Sequence, residues 1–553
     1  MTASVISRST RIPLADDVEV EPGPRKEFDV TITETGAHSA TVTAKGGTWI
    51  EDWRPEDDEF WANGGKKIAK RNLIWSIFAE HLGFSVWLLW SVSAALLAKQ
   101  GFVFTPEQLF FLVAVPNLVG SLIRIPYTFA VGKFGGRNWT VISALLLLIP
   151  TVLYVVAVQN PDTPFWAFVV IAATAGFGGG NFASSMANIN FFYPAKEKGA
   201  ALGLNAAGGN LGVALIQFFL PIIVGAGGAF GLFVAATKVI DGKKVPDIHL
   251  EYVGFLYIAL AIAAAAAAYF LMNNLREAKS TPKDLLPVLK QKHTWVMSFL
   301  YIGTFGSFIG YSAAMPLLIK LNFFRQPVPT AEPLGINFVY YAFLGALVGS
   351  IARPVGGWLA DKYGGSKVTL YTFIAMIAGT LGIFWTLTRL TKVPVPPPEV
   401  LKGWQADPST FPGYKPEVIE AVNANTALFP LFLAFFLFVF AATGIGNGST
   451  YRMIPLIQKH HAVEATEEGT PERHSALLKA TKLSSGVIGI AGAIGAIGGF
   501  LIPITFNAPW VTDPIDACRS AFLVFTGFYV ICLAVTYWFY IKKTGKSLGH
   551  ADI

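Results

Sequence analysis

The 553-residue chain is 53% hydrophobic and only 14% charged, with a net charge of +7 and a mean hydropathy of +0.51. A soluble protein would carry roughly 25% charge, so a water-soluble globule is excluded, and the basic excess fits cytoplasmic loops of a membrane protein better than a nucleic-acid surface. Two cysteines, Cys518 and Cys532, supply neither a disulfide framework nor a cysteine metal cluster.

Residues 1–70 form a polar N-terminal segment without the apolar stretch of a signal peptide. Most of it reads as poorly ordered. Its later part, Trp49-Ile-Glu-Asp-Trp53-Arg-Pro-Glu-Asp-Asp-Glu-Phe60-Trp61, mixes aromatics with acids and is expected to pack on the cytoplasmic face. Lys66, Lys67, Lys70 and Arg71 then lead into the first apolar block.

The apolar blocks run to about 20 residues, enough to cross ~30 Å of hydrocarbon at a rise of 1.5 Å per residue. They predict an all-α membrane protein of twelve spans, at 73–98, 108–132, 139–158, 165–193, 200–226, 251–272, 295–319, 338–360, 367–388, 427–456, 484–507 and 519–540. Lysine and arginine favour the connections on the side of both termini, which places the termini in the cytoplasm. The chain then divides into an N-terminal segment 1–70, a six-helix bundle 71–272, a basic linker 273–294, a second six-helix bundle 295–540 and a tail 541–553.

Two long connections carry specific expectations. The stretch 389–426, with Pro394, Pro396, Pro397 and Pro398, is expected to face outward and to be irregular. The stretch from Lys459-His460-His461 to Lys482 is expected to be a charged cytoplasmic loop, its histidines solvated and not metal-bound.

The two bundles repeat one another. Val119-Gly-Ser-Leu-Ile-Arg124 returns as Val348-Gly-Ser-Ile-Ala-Arg353. The offset of 229 also relates Gly120 to Gly349, Lys133 to Lys362 and Gly135 to Gly364. Gly176-Phe-Gly178-Gly-Gly180 answers to Gly444-Ile-Gly446-Asn-Gly448 at an offset of 268, and Gly209 and Gly212 answer to Gly492 and Gly495 at 283. Spans 2, 4 and 5 thus correspond to 8, 10 and 11. Such internal repeats in transporters place a binding site between the halves, near the bilayer midplane.

Helical rise sets the depth of the arginines. Arg124 lies nine residues before Lys133, and Arg353 nine before Lys362. Nine residues rise about 13.5 Å, against a half-thickness of ~15 Å. Each guanidinium near the midplane would cost roughly 2.5–3.5 kcal/mol on an insertion scale. A structural role would need a carboxylate for each, yet Glu80 is the one clearly interior acid, and Asp361 sits at the membrane edge. Two fixed cations with at most one fixed anion make a site for a mobile anion. Arginine suits a planar oxyanion, because its fork offers two parallel N–H groups.

The runs Gly208-Gly209-Asn210-Leu-Gly212 and Gly489-Ile-Ala-Gly492-Ala-Ile-Gly495-Ala-Ile-Gly498-Gly499 let helix backbones approach closely. Tight packing alone accounts for them; smooth faces that slide during transport are the functional reading, compatible with the first. Asn210 is more specific, since a lone amide at that depth can donate to an anion.

These stretches, with Gly178-Gly-Gly-Asn-Phe-Ala-Ser-Ser-Met-Ala-Asn-Ile-Asn-Phe-Phe-Tyr-Pro194 and Asp52-Trp-Arg-Pro-Glu-Asp57, resemble the bacterial nitrate/nitrite porters of the major facilitator superfamily from about residue 50 onward. Asp361-Lys-Tyr-Gly-Gly365 resembles the superfamily's general loop motif. The resemblance implies that Arg124 and Arg353 clamp the anion and that Phe182 packs on its flat face. It makes Tyr301, Phe305 and Tyr451 pocket residues and Asn210 a polar contact. Tyr451 stands where phenylalanine is usual, and Ala206 and Ala207 where glycines are common. The implied protein is a monomer in the bacterial cytoplasmic membrane that carries nitrate and nitrite and needs no cofactor.

Exchange of the two anions is favoured, because an empty site with two permanent charges resists reorientation. Proton symport is the alternative, with Glu80, beside His81, as the proton candidate. An anion sensor, the rival of another class, would need an output domain, and the N-terminal segment is short for one. No nucleophile–base spacing, metal-ligand cluster or phosphate loop points to an enzyme.

Overall fold

The computed structural model describes residues 34–35, 39–40 and 49–553, except 241–242, 279–286, 395, 469, 507–512, 544–547 and 550–552. The expected disorder near the N-terminus, and parts of the predicted linker and tail, lie outside the described residues. Among the described residues, twelve helices are long and apolar enough to cross a membrane. They are α1 (Asp58–Gln100), α2 (Pro106–Phe134), α3 (Gly136–Gln159), α4 (Phe165–Phe192), α5 (Lys196–Ile223), α6 (Glu251–Leu271), α7 (Lys292–Phe323), α8 (Phe338–Tyr363), α9 (Gly365–Thr388), α10 (Pro416–Glu464), α11 (Pro471–Thr505) and α12 (Ile515–Ile541).

Two connections differ from expectation. The predicted loop 457–483 is largely helix, because α10 runs on to Glu464 and α11 begins at Pro471. Thr470 caps α11 by accepting from Arg473 N, and proline at the first helical position suits the start. The predicted irregular stretch 389–426 contains the helix Pro398–Ala406 and the first turns of α10. Hydropathy marks where a helix leaves hydrocarbon. It does not mark where backbone hydrogen bonding stops.

Among the described residues several membrane helices are interrupted; α3 breaks at Leu147, between Gly136–Leu146 and Leu148–Gln159. In α1, Leu88 adopts φ −98°, ψ 8° between the segments Lys66–Trp87 and Leu89–Leu96. In α7, a π-helical turn covers Ile302–Gly306. In α11, the helix restarts at Gly498. Such breaks commonly sit at functional sites, where they redirect side chains.

The sequence repeat is also a packing repeat. A Cβ on Gly176 would lie 2.7 Å from the backbone N of Gly120, so α2 and α4 touch backbone to backbone there. The counterpart Gly444 would put a Cβ 2.3 Å from Gly349 O, and α8 meets α10 in the same way.

Between the bundles, α2 and α11 pair antiparallel at seven-residue steps. Phe110 stacks on Phe506 with ring centroids 5.7 Å apart. A Cβ on Gly499 would come within 3.0 Å of Asn117 Cβ. Arg124 Nη1 donates to Gly492 O at 2.8 Å. Further cross-bundle links are Lys320 Nζ to Ala95 O (2.6 Å), Gln217 Nε2 to Ser312 O (2.7 Å) and Asn190 Nδ2 to Ser485 Oγ (2.6 Å).

The segment before α1 is docked, as its aromatic content suggested. Trp49–Ile50 pairs in parallel with Asn274–Leu275. Trp53 Nε1 donates to Phe191 O (3.1 Å), and Trp61 Nε1 to Glu197 Oε1 (3.0 Å). Asp361 forms an ion pair with Arg452, tying the α8–α9 turn to α10.

Candidate functional site

Arg124 is wholly buried and Arg353 is 4% exposed. The cradle of Arg124 is made by glycines. A Cβ on Gly120 or on Gly179 would lie 2.7 Å from the Trp87 indole, so glycine at both positions lets that ring enter from α1. Trp87 Nε1 then donates to Pro116 O at 2.9 Å, and its ring lies 5.2 Å from the Arg124 guanidinium carbon. Phe84 is 6.0 Å away on the same helix. Neither residue stood out in the sequence, although Trp87 follows Glu80 by two helical turns and so shares its face.

Arg124 Nε donates to Gly179 O at 2.9 Å and Nη1 to Gly492 O at 2.8 Å, while Nη2 has no partner among the described residues. Arg353 Nη2 approaches the Tyr301 hydroxyl at 3.4 Å, and its Nη1 likewise has no partner. Among the described residues, no carboxylate lies within the 4.0 Å of an ion pair with either guanidinium.

Aromatic rings occupy the space between the cations. The Phe182 centroid is 4.8 Å from the Arg124 guanidinium carbon and 5.4 Å from that of Arg353. Phe305 is also 4.8 Å from Arg124, and Tyr451 5.6 Å from Arg353. Tyr301, Phe305 and Phe182 form a column, with centroid spacings of 5.2 and 5.9 Å and small interplanar angles. The π-turn of α7 begins directly after Tyr301 and contains Phe305. Ring faces attract a desolvated cation by about 2 kcal/mol. That offsets part of the burial cost without neutralising the charge.

Six of the predicted residues therefore come together: Arg124, Arg353, Phe182, Tyr301, Phe305 and Tyr451. Asn210 does not join them by any hydrogen bond. It is fully buried on α5, and neither of its amide atoms has a partner among the described residues.

The glycine runs divide between two seams. On α5, a Cβ on Gly208 would meet Ile77 at 2.4 Å, one on Gly209 would meet Glu80 Oε1 at 2.2 Å, and one on Gly212 would meet His81 O at 2.3 Å. On α11, a Cβ on Gly489 would meet Thr128 at 2.6 Å and one on Gly495 would meet Tyr301 at 2.5 Å. Gly492 is looser, with Arg124 Nη1 at 3.6 Å from its virtual Cβ. Close packing is thus part of what these glycines do.

Glu80 is fully buried, and its Oε2 accepts from Ser185 Oγ and from Asn205 Nδ2 (2.7 Å). Its Oε1 has no partner among the described residues. The carboxyl joins α1 to α4 and α5 and, among the described residues, makes no ion pair with Arg124 or Arg353. His81 Nδ1 donates to Gly208 O at 3.2 Å in the same seam.

This arrangement can hold a small planar anion, with ring faces on its flat side and free N–H groups at its edges. Comparison with known proteins bears on the family and the fold. A family profile described as the Major Facilitator Superfamily matches residues 76–395. The nitrate/nitrite transporter NarU of Escherichia coli (strain K12) is 38% identical over 501 residues, covering 89% of this chain and 96% of that protein. The probable nitrate/nitrite antiporter NarK2 of Thermus thermophilus is 32% identical over 503 residues, covering 91% and 98%. A crystal structure of a D-xylose-proton symporter matches with a TM-score of 0.55 at 14% identity, covering 85% of this chain and 97% of that one.

Proposed function

The chain belongs to the Major Facilitator Superfamily, within its nitrate/nitrite transporter family, and on that premise we propose that it exchanges nitrate and nitrite across the membrane by alternating access. The observation that carries this reading is the pair of buried guanidiniums that share the Phe182 ring at 4.8 and 5.4 Å, each with a nitrogen unpartnered among the described residues. In a medium of low dielectric, such donors favour an anion that fills both. Nitrate lies flat on the Phe182 ring and offers oxygens to both forks. Nitrite carries the same charge and two oxygens, so it suits the same edges.

In this reading Arg124 and Arg353 bind the anion, Phe182 packs on its flat face, Phe305 lines the pocket, and Tyr301 orients Arg353. Tyr451 closes the side of the pocket. Asn210 lies buried on α5 between Gly209 and Gly212, which pack on α1, and its amide is without a hydrogen-bond partner among the described residues. The chain works as a monomer in the bacterial cytoplasmic membrane with both termini inside, its bundles spanning 71–272 and 295–540.

Exchange is the favoured mode because two permanent charges in an unfilled pocket oppose reorientation. One observation supports proton symport as a second reading: Glu80 is a wholly buried carboxyl, one of whose oxygens has no hydrogen-bond partner among the described residues. Liposomes containing the purified protein and loaded with nitrite test both. Exchange predicts nitrate entry that needs internal nitrite and survives a clamped pH. Entry into anion-free vesicles that a protonophore abolishes would support symport instead.

A further inference from the structure

We propose that the carbonyl oxygen of Gly492 competes with the transported anion for Arg124, so that the empty carrier is locked across its two bundles until an anion arrives. The inference rests on the exchange reading and supplies a physical reason for it. It follows from which edges of the Arg124 guanidinium remain free.

A guanidinium can grip two oxygens along its Nε–Nη2 edge or along its Nη1–Nη2 edge. The first edge is half used, because Nε donates to Gly179 O within the same bundle. The second edge is half used as well, because Nη1 donates to Gly492 O of the opposite bundle at 2.8 Å. A two-pronged grip on either edge meets a backbone carbonyl, and on the Nη1–Nη2 edge the anion competes with Gly492 O. Before it arrives, the carbonyl is the group from the other bundle that answers the buried charge. Breaking this bond without a replacement leaves a charged donor unpaired, so rocking the empty carrier is opposed.

The register of α2 and α11 makes this bond part of a longer latch. Phe110 with Phe506, Asn117 with Gly499 and Arg124 with Gly492 follow one another at seven-residue steps on antiparallel helices. Loss of the last contact frees the seam at the depth where the anion binds. The lock is one-sided. By the repeat, Arg353 and Gly209 are the counterparts of Arg124 and Gly492, but among the described residues Arg353 bonds to the Tyr301 hydroxyl and not to Gly209. Gly209 packs on Glu80 instead. The anion is therefore read by α11 and not by α5.

The test is disulfide trapping across the seam in liposomes. Asn117→Cys with Gly499→Cys is made in the full chain, with Cys518 and Cys532 replaced by alanine. Thr128→Cys with Gly489→Cys provides a second pair on the same two helices. Nitrate binding is followed in parallel as a rise in melting temperature. The proposal expects rapid cross-linking in anion-free buffer, slowed about threefold or more by saturating nitrate, as a ligand that favours the unlatched state must do. If nitrate raises the melting temperature but leaves both cross-linking rates unchanged or faster, the lock is wrong and the exchange reading survives. If nitrate neither stabilises the protein nor alters the rates, both fall.

Discussion

The guanidinium carbon of Arg353 stands 5.4 Å from the centre of the Phe182 ring, although Arg353 belongs to α8 and Phe182 to α4 in the other bundle. A single side chain of the first bundle thus faces the cations of both. Replacing it with alanine removes the ring shared by the two arginines and opens a cavity between them. Phe182→Ala should weaken apparent nitrate affinity by about tenfold or more, as loss of about 2 kcal/mol implies. Phe182→Tyr should do far less. Concentration dependence of nitrate entry into nitrite-loaded liposomes gives both values.

Arg124→Lys keeps the charge and loses the fork. An ammonium cannot bond Gly179 O and present a planar two-donor edge to the anion at once. Nitrate uptake by this variant should fall at least tenfold, while its melting temperature stays near that of the parent. Unchanged apparent affinity in the lysine variant would remove the argument for a two-pronged grip.

Glu80→Gln separates the two modes of coupling. The amide preserves the shape of the carboxyl and can still accept from Ser185 and Asn205. Under exchange, nitrate-for-nitrite flux should stay within about twofold of the parent, because the amide keeps the size and shape of the carboxyl. Under symport, flux should collapse and lose its dependence on the proton gradient. Measuring flux at two clamped pH values distinguishes these results.

Helix approach can be tested apart from transport. A Cβ on Gly178 would lie 2.1 Å from Gly83 O, a backbone atom that cannot swing away, whereas Gly203 has open space around it. Gly178→Ala should destabilise the protein by about 1–3 kcal/mol. Gly203→Ala on α5 should be neutral or slightly stabilising. Thermal unfolding of the two variants in detergent makes the comparison.

What the sequence made legible depended on contrast. Arg124 and Arg353 stand out because a charge in an apolar block has few innocent explanations, and a constant offset tied them together. Trp87 was invisible for the opposite reason: an aromatic residue in an apolar helix looks like its neighbours, though it supports Arg124 directly. The α10 and α11 extensions were hidden because polar composition hides helical continuity once a helix leaves hydrocarbon. Gly492 was recognised as a glycine of close approach. Its carbonyl could not be, since backbone atoms have no letter in the sequence. Asn210 was expected at the anion for its chemistry, and the fold leaves it without a bond to the clamp.

The pairing of α2 with α11 also limits how the chain can change length. One residue inserted between Gly492 and Phe506 would turn everything beyond it by about 100° around the helix axis. Phe110 would then face the wrong side of α11 while Arg124 kept its partner. Insertions and deletions between Gly489 and Phe506 should therefore be tolerated only in whole helical repeats.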